Sequence, residues 1–400
     1  MIFLAYWFVL FGFVALSLYH TAAWGRVRQG LLLASCVVFH AHFAGPAGVL
    51  PIIVLAALTY LAALSGRSSV CVGAMIVCAF ALVFYKYTRF FCNGVLGAVS
   101  PVLGEHLWTG VQPFLPAAPP LAISFFVFEF VHYLFDVRKG GEPIRNPIRF
   151  STFAIFWPSI VAGPVKRYQQ FLPALDRGLT SAGSNDVVQG LLRIAVGLIK
   201  KVCADNTTIF INARQPHFDL LSIAGRWAVF LALALRILLD FSGYSDMAIG
   251  YARIMGIRLP ENFNWPYTAR SLVEFWHRWH ISLSLWIRDY IYIPLGGNRH
   301  GTPRKILNGM LAFGICGLWH GAAWNFLFWG LYHGAGLAVN SSYRQLLGSL
   351  GRHLGEWFDR NGFAAWLTTM AHVLVGWLLF FYPLPEAWGM FKLLIPHRLP

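Results

Sequence analysis

GICGLWHGAAWNFLFWGLYHG, residues 314–334, is apolar enough to lie inside a membrane, and yet it carries His320 and His333. The rest of the 400-residue chain has the same character, with 57% hydrophobic and 12% charged residues, whereas an ordinary soluble domain has about 25% charged residues. In lipid only helices or a closed barrel satisfy the backbone, and these apolar blocks are too long and uniform for barrel strands with their alternating pattern. The composition therefore predicts an all-α integral membrane protein, a polytopic helical bundle.

Twelve apolar blocks are the candidate membrane spans: 2–24, 31–43, 47–64, 70–87, 121–135, 150–162, 187–204, 227–239, 241–255, 306–323, 326–339 and 366–382. Several are shorter than the roughly 17 residues that a spanning helix needs, so we expect about ten crossings together with re-entrant or interfacial helices. Residues 1–24 have no basic start and no convincing small-residue cleavage site. We therefore expect a first span there rather than a secretory signal.

The net charge of +15 comes from Lys and Arg residues that collect in short segments between the blocks, such as Arg138 and Lys139. The positive-inside rule accounts for this pattern, because basic loops stay in the cytoplasm. The charges are dispersed and no groove-binding element accompanies them, which argues against nucleic acid as a partner. The six cysteines lie mostly in apolar blocks without CxxC or metal-type spacing, so we expect small buried side chains and no metal site.

Residues 269–295 (ARSLVEFWHRWHISLSLWIRDYIYIPL) are aromatic-rich but too charged for a lipid-facing span. We expect a helix in the interface or inside the bundle, with Glu274 and Arg278 paired at i, i+4, followed by a basic cytoplasmic loop at 296–305. Helical spacing places four polar residues on one stripe of that helix: His277, His280, Ser284 and Arg288. The stripe faces either lipid headgroups or water and substrate within the bundle.

His320 follows Trp319 in a segment where Asn325 is the other strongly polar side chain. Ionisable groups inside a membrane are functional candidates by default, and a neutral imidazole can take a proton from a hydroxyl and later return one. The structural alternative, for His320 as for His333, is a hydrogen bond to a carbonyl of a neighbouring helix. Small residues near His320 would let a helix or a ligand approach closely: Gly314, Gly317, Gly321, Ala322 and Ala323.

Two further stretches place polar groups in apolar surroundings. LLDFSGYSDMAIG (238–250) carries Asp240 and Asp246 around Gly243, which predicts a broken helix lining a cavity, with a cation pathway as the rival interpretation. FWPSIVAGPVKRYQQF (156–171) combines prolines and a glycine with Lys166 and Arg167. We expect a span to end there in a rigid turn with a basic edge, a structural rather than a catalytic feature.

Several long motifs in a fixed order connect these candidates. FSGYSDMAIGYARIMGIRLPENFNWPYTARSLVEFWHRWHISLSLWIRDYIYIPLGGNRHG (241–301) precedes GLWHGAAWNFLFWGLYHG (317–334), and PLAISFFVFEFVHYLFDVRKG (120–140) and FWPSIVAGPVKRYQQF lie upstream. Together they resemble the membrane-bound O-acyltransferase family, in its bacterial alginate O-acetyltransferase-like branch. The resemblance implies one membrane-embedded domain over residues 1–400, with N-terminal spans in 1–100, a catalytic core at about 120–340 and a C-terminal helix at about 365–385.

By this resemblance His320, in LWHG, corresponds to the essential histidine of the family, and His280, in RWHISLS, to its second hallmark position. The family fold is a ring of membrane helices around a thin centre, with funnels that reach the active histidine from both sides. The remaining candidates for the substrate channel are Asn325, Trp319, Ser284, Arg288, Asp289 and Asp246.

The resemblance also implies the reaction and its participants. An acyl thioester, acetyl-CoA or an acyl carrier, serves as co-substrate rather than as a tightly bound cofactor. The acceptor is an exopolysaccharide such as alginate, or a periplasmic acetyltransferase partner that completes the transfer. The location is the bacterial inner (cytoplasmic) membrane, where the chain is multi-pass and contacts lipid.

Two other classes of protein compete with this interpretation. An ion-coupled transporter would use the intramembrane Asp and His residues as an ion relay, and it should show paired discontinuous helices in related halves, a symmetry that the sequence does not display. A scaffold for a polysaccharide export complex would tolerate the loss of both His280 and His320.

Overall fold

The computed structural model describes residues 2–395, and this part of the chain is helical throughout, with turns and no β-strand. The all-α prediction is therefore confirmed. Three described helices are long and apolar enough to cross a membrane: Gly25–Leu64, Ser68–Tyr87 and Gly362–Phe381. The chain divides into two compact units, one of Met1–Leu198 with Tyr244–Pro260 and one of Ile199–Gly243 with Glu261–Pro400.

The first unit is built from the N-terminal helices. They are α1 (Tyr6–Thr21), α2 (Gly25–Leu64), α3 (Ser68–Leu82), α4 (Gly97–Val99), α5 (Pro101–Val111), α6 (Ile123–Arg138), α7 (Pro147–Ala154) and α8 (Tyr168–Ser181). Helices α9 (Ser184–Arg214) and α10 (Ile223–Ile254) contribute residues to both units. Buried aromatic rings form the centre of this unit, where Phe8, Phe39 and Trp157 lie 5.5–6.1 Å apart between ring centroids. Contacts between aromatic rings stabilise the fold by more than the burial of their apolar surface alone.

The predicted spans 31–43 and 47–64 are the two halves of one kinked helix. Gly45 interrupts α2 with φ 63° and ψ 173°, and Pro46 follows it. Glycine tolerates this positive φ, and proline has no N–H for the helical ladder, so the kink falls where both residues occur.

Two other span predictions are wrong. Residues 150–162 are not a span, because α7 ends at Ala154 and a turn follows through Pro158. Residues 227–239 and 241–255 are not separated, because α10 continues through Gly243 without a break. A single glycine inside a helix costs only about 1 kcal/mol relative to alanine, and the packing of this long helix outweighs that cost.

The turn after α7 leads to a buried ion pair in the first unit. The Lys166 ammonium lies 2.6 Å and 2.7 Å from the two carboxylate oxygens of Glu129 on α6, and both side chains are almost fully buried. The predicted rigid turn is therefore present, but Lys166 is not part of a basic edge. Its ammonium is compensated within the protein, as a buried charge requires.

The second unit holds the C-terminal helices. They are α11 (Leu272–Arg278), α12 (Ile281–Ile287), α13 (Gly301–His320), α14 (Trp324–Leu346), α15 (Gly348–Arg360), α16 (Gly362–Phe381) and α17 (Leu384–Leu394), with a π-helical turn at Arg288–Tyr292. Helix α13 begins at Gly301, so the second half of the predicted basic loop 296–305 is helical. The predicted pair of Glu274 and Arg278 is confirmed by an N–O distance of 2.7 Å.

Candidate active site

His320 is the last residue of α13, at the point where this helix turns into α14. Its imidazole is half-buried among aromatic rings, with centroid distances of 4.9 Å to Trp319, 5.1 Å to Trp329 and 5.3 Å to Phe380. The imidazole is thus surrounded by aromatic rings, at a helix end rather than inside a helix.

Glycines allow α13 and α14 to meet almost backbone to backbone below His320. A Cβ atom on Gly317 would lie 2.1 Å from the carbonyl oxygen of Phe326, and one on Gly330 would lie 2.2 Å from that of Phe313. A Cβ atom on Gly321 would lie 2.0 Å from the Phe326 ring. The prediction that small residues permit a close helix approach here is confirmed for these glycines, and the approach fixes Trp329 of α14 against His320.

His280 lies at a break between two short helices rather than on one continuous helix. Helix α11 ends at Arg278, His280 has a left-handed backbone with φ 43° and ψ 53°, and α12 begins at Ile281. The prediction of a single polar stripe through His277, His280, Ser284 and Arg288 is therefore wrong, since a left-handed residue changes the direction of the chain.

The imidazole of His280 is buried and faces the His320 pocket. Its ring is 1% exposed and packs edge-on against Phe241 at 4.6 Å between centroids. The centroids of the His280 and His320 rings are 6.5 Å apart. Within residues 2–395, neither ring nitrogen of His280 has a hydrogen-bond partner. Buried polar atoms without a partner are uncommon, and a catalytic role is one of the explanations for them.

Trp319 and Asn325 also lie at this site. Trp319 is 7% exposed and contacts both His280, at 6.1 Å between centroids, and His320. The Asn325 side-chain amide donates a hydrogen bond of 3.2 Å to the backbone carbonyl of Phe380. Asn325 thus ties the start of α14 to the end of α16, beside the ring that packs on His320.

The other sequence candidates lie elsewhere. The Ser284 hydroxyl donates to the Trp279 carbonyl at 3.2 Å, and the Arg288 guanidinium pairs with Asp289 at 2.6 Å. Asp246 belongs to the first unit, where its carboxylate lies 2.6 Å from the Arg193 guanidinium. The Asp246 carboxylate is therefore paired with a cation of its own unit.

A cavity of about 640 Å³ lies beside α13 in the second unit. Seven polar or charged side chains are among its lining residues: His277, Ser284, Arg288, Tyr292, Asn298, Lys305 and Ser341. Its wall also includes Ile281, the neighbour of His280, and Cys316, which is one helical turn before His320. Ser284 and Arg288 are therefore cavity residues.

Sequence reasoning did not single out Trp329, Phe380 and Phe241, which enclose the two imidazoles. Trp329 lay in the quoted stretch, but an aromatic residue in an apolar block is indistinguishable from ordinary lipid-facing or core residues. Among the described residues, no group of three or more His, Cys, Asp or Glu side chains gathers that could hold a metal ion.

The sequence model of the membrane-bound O-acyltransferase family matches residues 121–351. The chain is 35% identical over 312 residues to the probable alginate O-acetylase AlgI of Azotobacter vinelandii, covering 77% of this chain and 59% of that protein. It is 33% identical over 374 residues to the probable alginate O-acetylase AlgI of Pseudomonas aeruginosa, covering 92% and 66%.

A third relative is the peptidoglycan O-acetyltransferase of Helicobacter pylori, which is 33% identical over 324 residues, covering 74% of this chain and 59% of that protein. The chain thus spans about three fifths of the length of the curated relatives that it matches. The match to the family includes the segments that carry His280 and His320. The chain belongs to the membrane-bound O-acyltransferase family.

Proposed function

We propose that this protein is a membrane O-acyltransferase that moves an acetyl group from a cytoplasmic thioester to a hydroxyl group outside the membrane. The observation that carries the proposal is the pair of imidazoles, His280 and His320, 6.5 Å apart between centroids in a pocket of aromatic rings. Two of the relatives are named alginate O-acetylases and one a peptidoglycan O-acetyltransferase, which supports acetyl as the group transferred.

In the proposed reaction His320 acts as the general base. Its neutral imidazole accepts the proton of the acceptor hydroxyl while the hydroxyl oxygen attacks the thioester carbonyl. The carbon–sulfur bond then breaks as the new ester forms, and the imidazolium returns the proton to the leaving thiolate. The products are an O-acetyl ester and a free thiol, with no other reactant needed. The rings around His320 exclude water, which protects the thioester from hydrolysis.

His280 is the second proposed catalytic group. Its buried nitrogens can donate to the oxyanion that develops on the thioester carbonyl, or orient the acceptor hydroxyl. Removing one such donor costs on the order of 10² to 10³ in rate in enzymes with an oxyanion hole. Asn325 has one remaining amide hydrogen for such a role, because the other donates to the Phe380 carbonyl.

The cavity beside α13 is the proposed route for the donor. Its polar end carries Lys305 and Arg288, and the positive-inside rule assigns such basic segments to the cytoplasm. From Lys305 to His320 the helix rises by about 22 Å, at about 1.5 Å per residue. A phosphate-bearing thioester, acetyl-CoA or an acyl carrier, would place its charged part at that end and its acetyl group near Cys316.

The finer features of the protein are proposed on the same basis. The acceptor would be an exopolysaccharide or a periplasmic acetyltransferase partner, and the chain would lie in the bacterial inner membrane as one domain with about ten crossings. Asp240 and Asp246, which suggested an ion relay, each have a cationic partner, Lys201 at 3.1 Å and Arg193 at 2.6 Å. The relatives are named as acyl-group transferases and none as a transporter, so no second function is favoured.

The test compares ester-linked acetate on extracellular glycans of cells with and without the chain, and with the variant His320→Ala. We expect the chain to add acetate esters and His320→Ala to remove them while the protein still inserts at normal levels. The matched control is His353→Ala, since His353 is exposed on α15. Normal acetate ester from His320→Ala would refute the role of His320, and unchanged acetate without the chain would refute the function.

A further inference from the structure

A short segment, residues 262–264, runs along the break that carries His280. The Asn264 amide donates to the Arg278 carbonyl at 2.9 Å, on one side of His280. The Ile281 amide donates to the Asn262 carbonyl at 2.9 Å, on the other side. The chain is thus held just before and just after the left-handed residue.

The side chain of Asn262 adds a second connection. Its Oδ1 atom accepts hydrogen bonds from the Ser282 hydroxyl at 2.7 Å and from the Ser282 backbone amide at 3.3 Å. Asn262 is 1% exposed and Ser282 is 7% exposed, so water does not compete for these bonds. Hydrogen bonds in such surroundings are strong, and their loss leaves polar atoms buried without partners.

These contacts do the work of a helix cap from outside the helix. The first amides of a helix have no partner within it, and the side chain at the N-cap position usually accepts from one of them. His280 occupies the N-cap position of α12 but makes no side-chain cap hydrogen bond. The Asn262 backbone and side-chain oxygens accept from the first two amides instead, so the imidazole of His280 is left available to the site.

We infer that Asn262 is a positioning residue: by capping α12 it holds His280 in the left-handed conformation that aims its imidazole at the His320 pocket. A left-handed backbone is unfavourable for any residue with a Cβ atom, and it persists only where the surroundings enforce it. The catalytic part of this inference rests on the proposed function. The conformational part stands on the hydrogen bonds alone.

The kinetic test measures thiol release in membrane vesicles that carry the full chain, with acetyl-CoA as the donor probe and alginate as the hydroxyl-bearing acceptor. Asn262→Leu has a similar size and no acceptor, and we expect kcat to fall on the order of 10²-fold, as for a misplacement of about 1 Å. The KM for acetyl-CoA should stay within about twofold, because the donor cavity is unchanged. Asn262→Asp keeps an acceptor at the same place and should recover most of kcat.

Two further variants separate positioning from general loss of structure. Ser282→Ala removes one of the two bonds to Oδ1 and should give a smaller fall of the same kind, in kcat. Asn264→Ala is the matched control, because its side chain is exposed and only its backbone amide bonds to Arg278. Wild-type kcat in Asn262→Leu would overturn the inference, as would equal losses in Asn262→Leu and Asn262→Asp.

A stability measurement tests whether Asn262 holds the left-handed conformation of His280, independently of activity. It remains decisive even if the wild-type chain gives no turnover with acetyl-CoA, a result that would count against the proposed function. Glycine adopts a left-handed backbone freely, so His280→Gly should unfold at a higher temperature than His280→Ala. Adding Asn262→Leu to both should reduce that difference, because only the backbone bonds of residues 262 and 264 then hold the conformation. A difference that is the same with and without Asn262 would overturn the inference.

Discussion

Gly317→Ala should impair the proposed acyl transfer far more than the addition of one methyl group suggests. The added Cβ would lie 2.1 Å from the Phe326 carbonyl oxygen and 3.0 Å from the Gly330 Cα. A carbon atom and a carbonyl oxygen approach no closer than about 3.3 Å even in favourable contacts. The start of α14 must therefore move away from α13 by about 1 Å.

That movement changes both stability and activity. Overpacking of this kind costs about 1–3 kcal/mol. Helix α14 also carries Asn325 and Trp329, which flank His320, and a displacement of about 1 Å at a reacting group costs on the order of 10²-fold in rate. We expect thiol release from acetyl-CoA to fall by about that factor, with a lower unfolding temperature in detergent.

Gly314→Ala is the matched control for this prediction. It is the same substitution on the same helix one turn earlier, where the nearest atom to an added Cβ is a Leu331 methyl carbon at 3.5 Å, an ordinary contact. Because alanine is the better helix former, Gly314→Ala should keep its activity and equal or exceed the wild type in stability. If Gly317→Ala behaved like Gly314→Ala in both assays, the close approach of the two helices would not be what positions the site.

Lys166→Met should lower the free energy of unfolding by roughly 3–5 kcal/mol, since it leaves the buried Glu129 carboxylate without a cation. The double variant Lys166→Met with Glu129→Leu should recover most of that loss, and equal instability of the two variants in thermal unfolding would contradict this. Asp246→Asn should reduce stability but leave kcat within about threefold, because the Asp246 carboxylate forms an ion pair with Arg193 and has no proposed contact with substrate. A loss of activity at unchanged stability would contradict that assignment. Asn325→Leu should lower kcat about tenfold, because it removes the hydrogen bond between α14 and the Phe380 carbonyl. Kinetics identical to the wild type would show that this hydrogen bond does not help to position the Phe380 ring against His320.

The sequence predicted those features that depend on amino-acid composition or on residues close together in the chain. The all-α membrane class followed from the lack of charge, and the pairing of Glu274 with Arg278 followed from helical spacing. Identification of the family followed from long motifs in order, and those motifs contain both histidines that the structure brings within 6.5 Å between centroids.

The sequence failed where distant segments decide local structure. Helical periodicity predicted one helix through His280, but the hydrogen bonds from Asn262, eighteen residues earlier, favour a left-handed break there. Periodicity cannot register a cap that comes from another segment. The prediction of a helix break at Gly243 is wrong for the opposite reason. The small cost of a glycine inside a helix is visible in the sequence, whereas the packing that outweighs this cost is not.

The enclosure of the active site was not predictable in the same way. Trp329 and Phe380 contact His320 because glycines bring α14 close to α13 and because Asn325 bonds to the Phe380 carbonyl. Neither contact can be predicted from the sequence, since nothing in an apolar, aromatic-rich block distinguishes the rings that contact His320 from the others.

The ion pair of Glu129 and Lys166 has a consequence for biosynthesis. The two residues are 37 positions apart, so α6 leaves the ribosome well before the cation that neutralises its carboxylate. A charged side chain in hydrocarbon is costly. The segment that carries Glu129 and the segment that carries Lys166 are therefore each unfavourable in the bilayer without the other. We expect residues 123–166 to partition from the translocon as one electrically neutral unit, and nascent chains that end before residue 166 to remain held at the translocon.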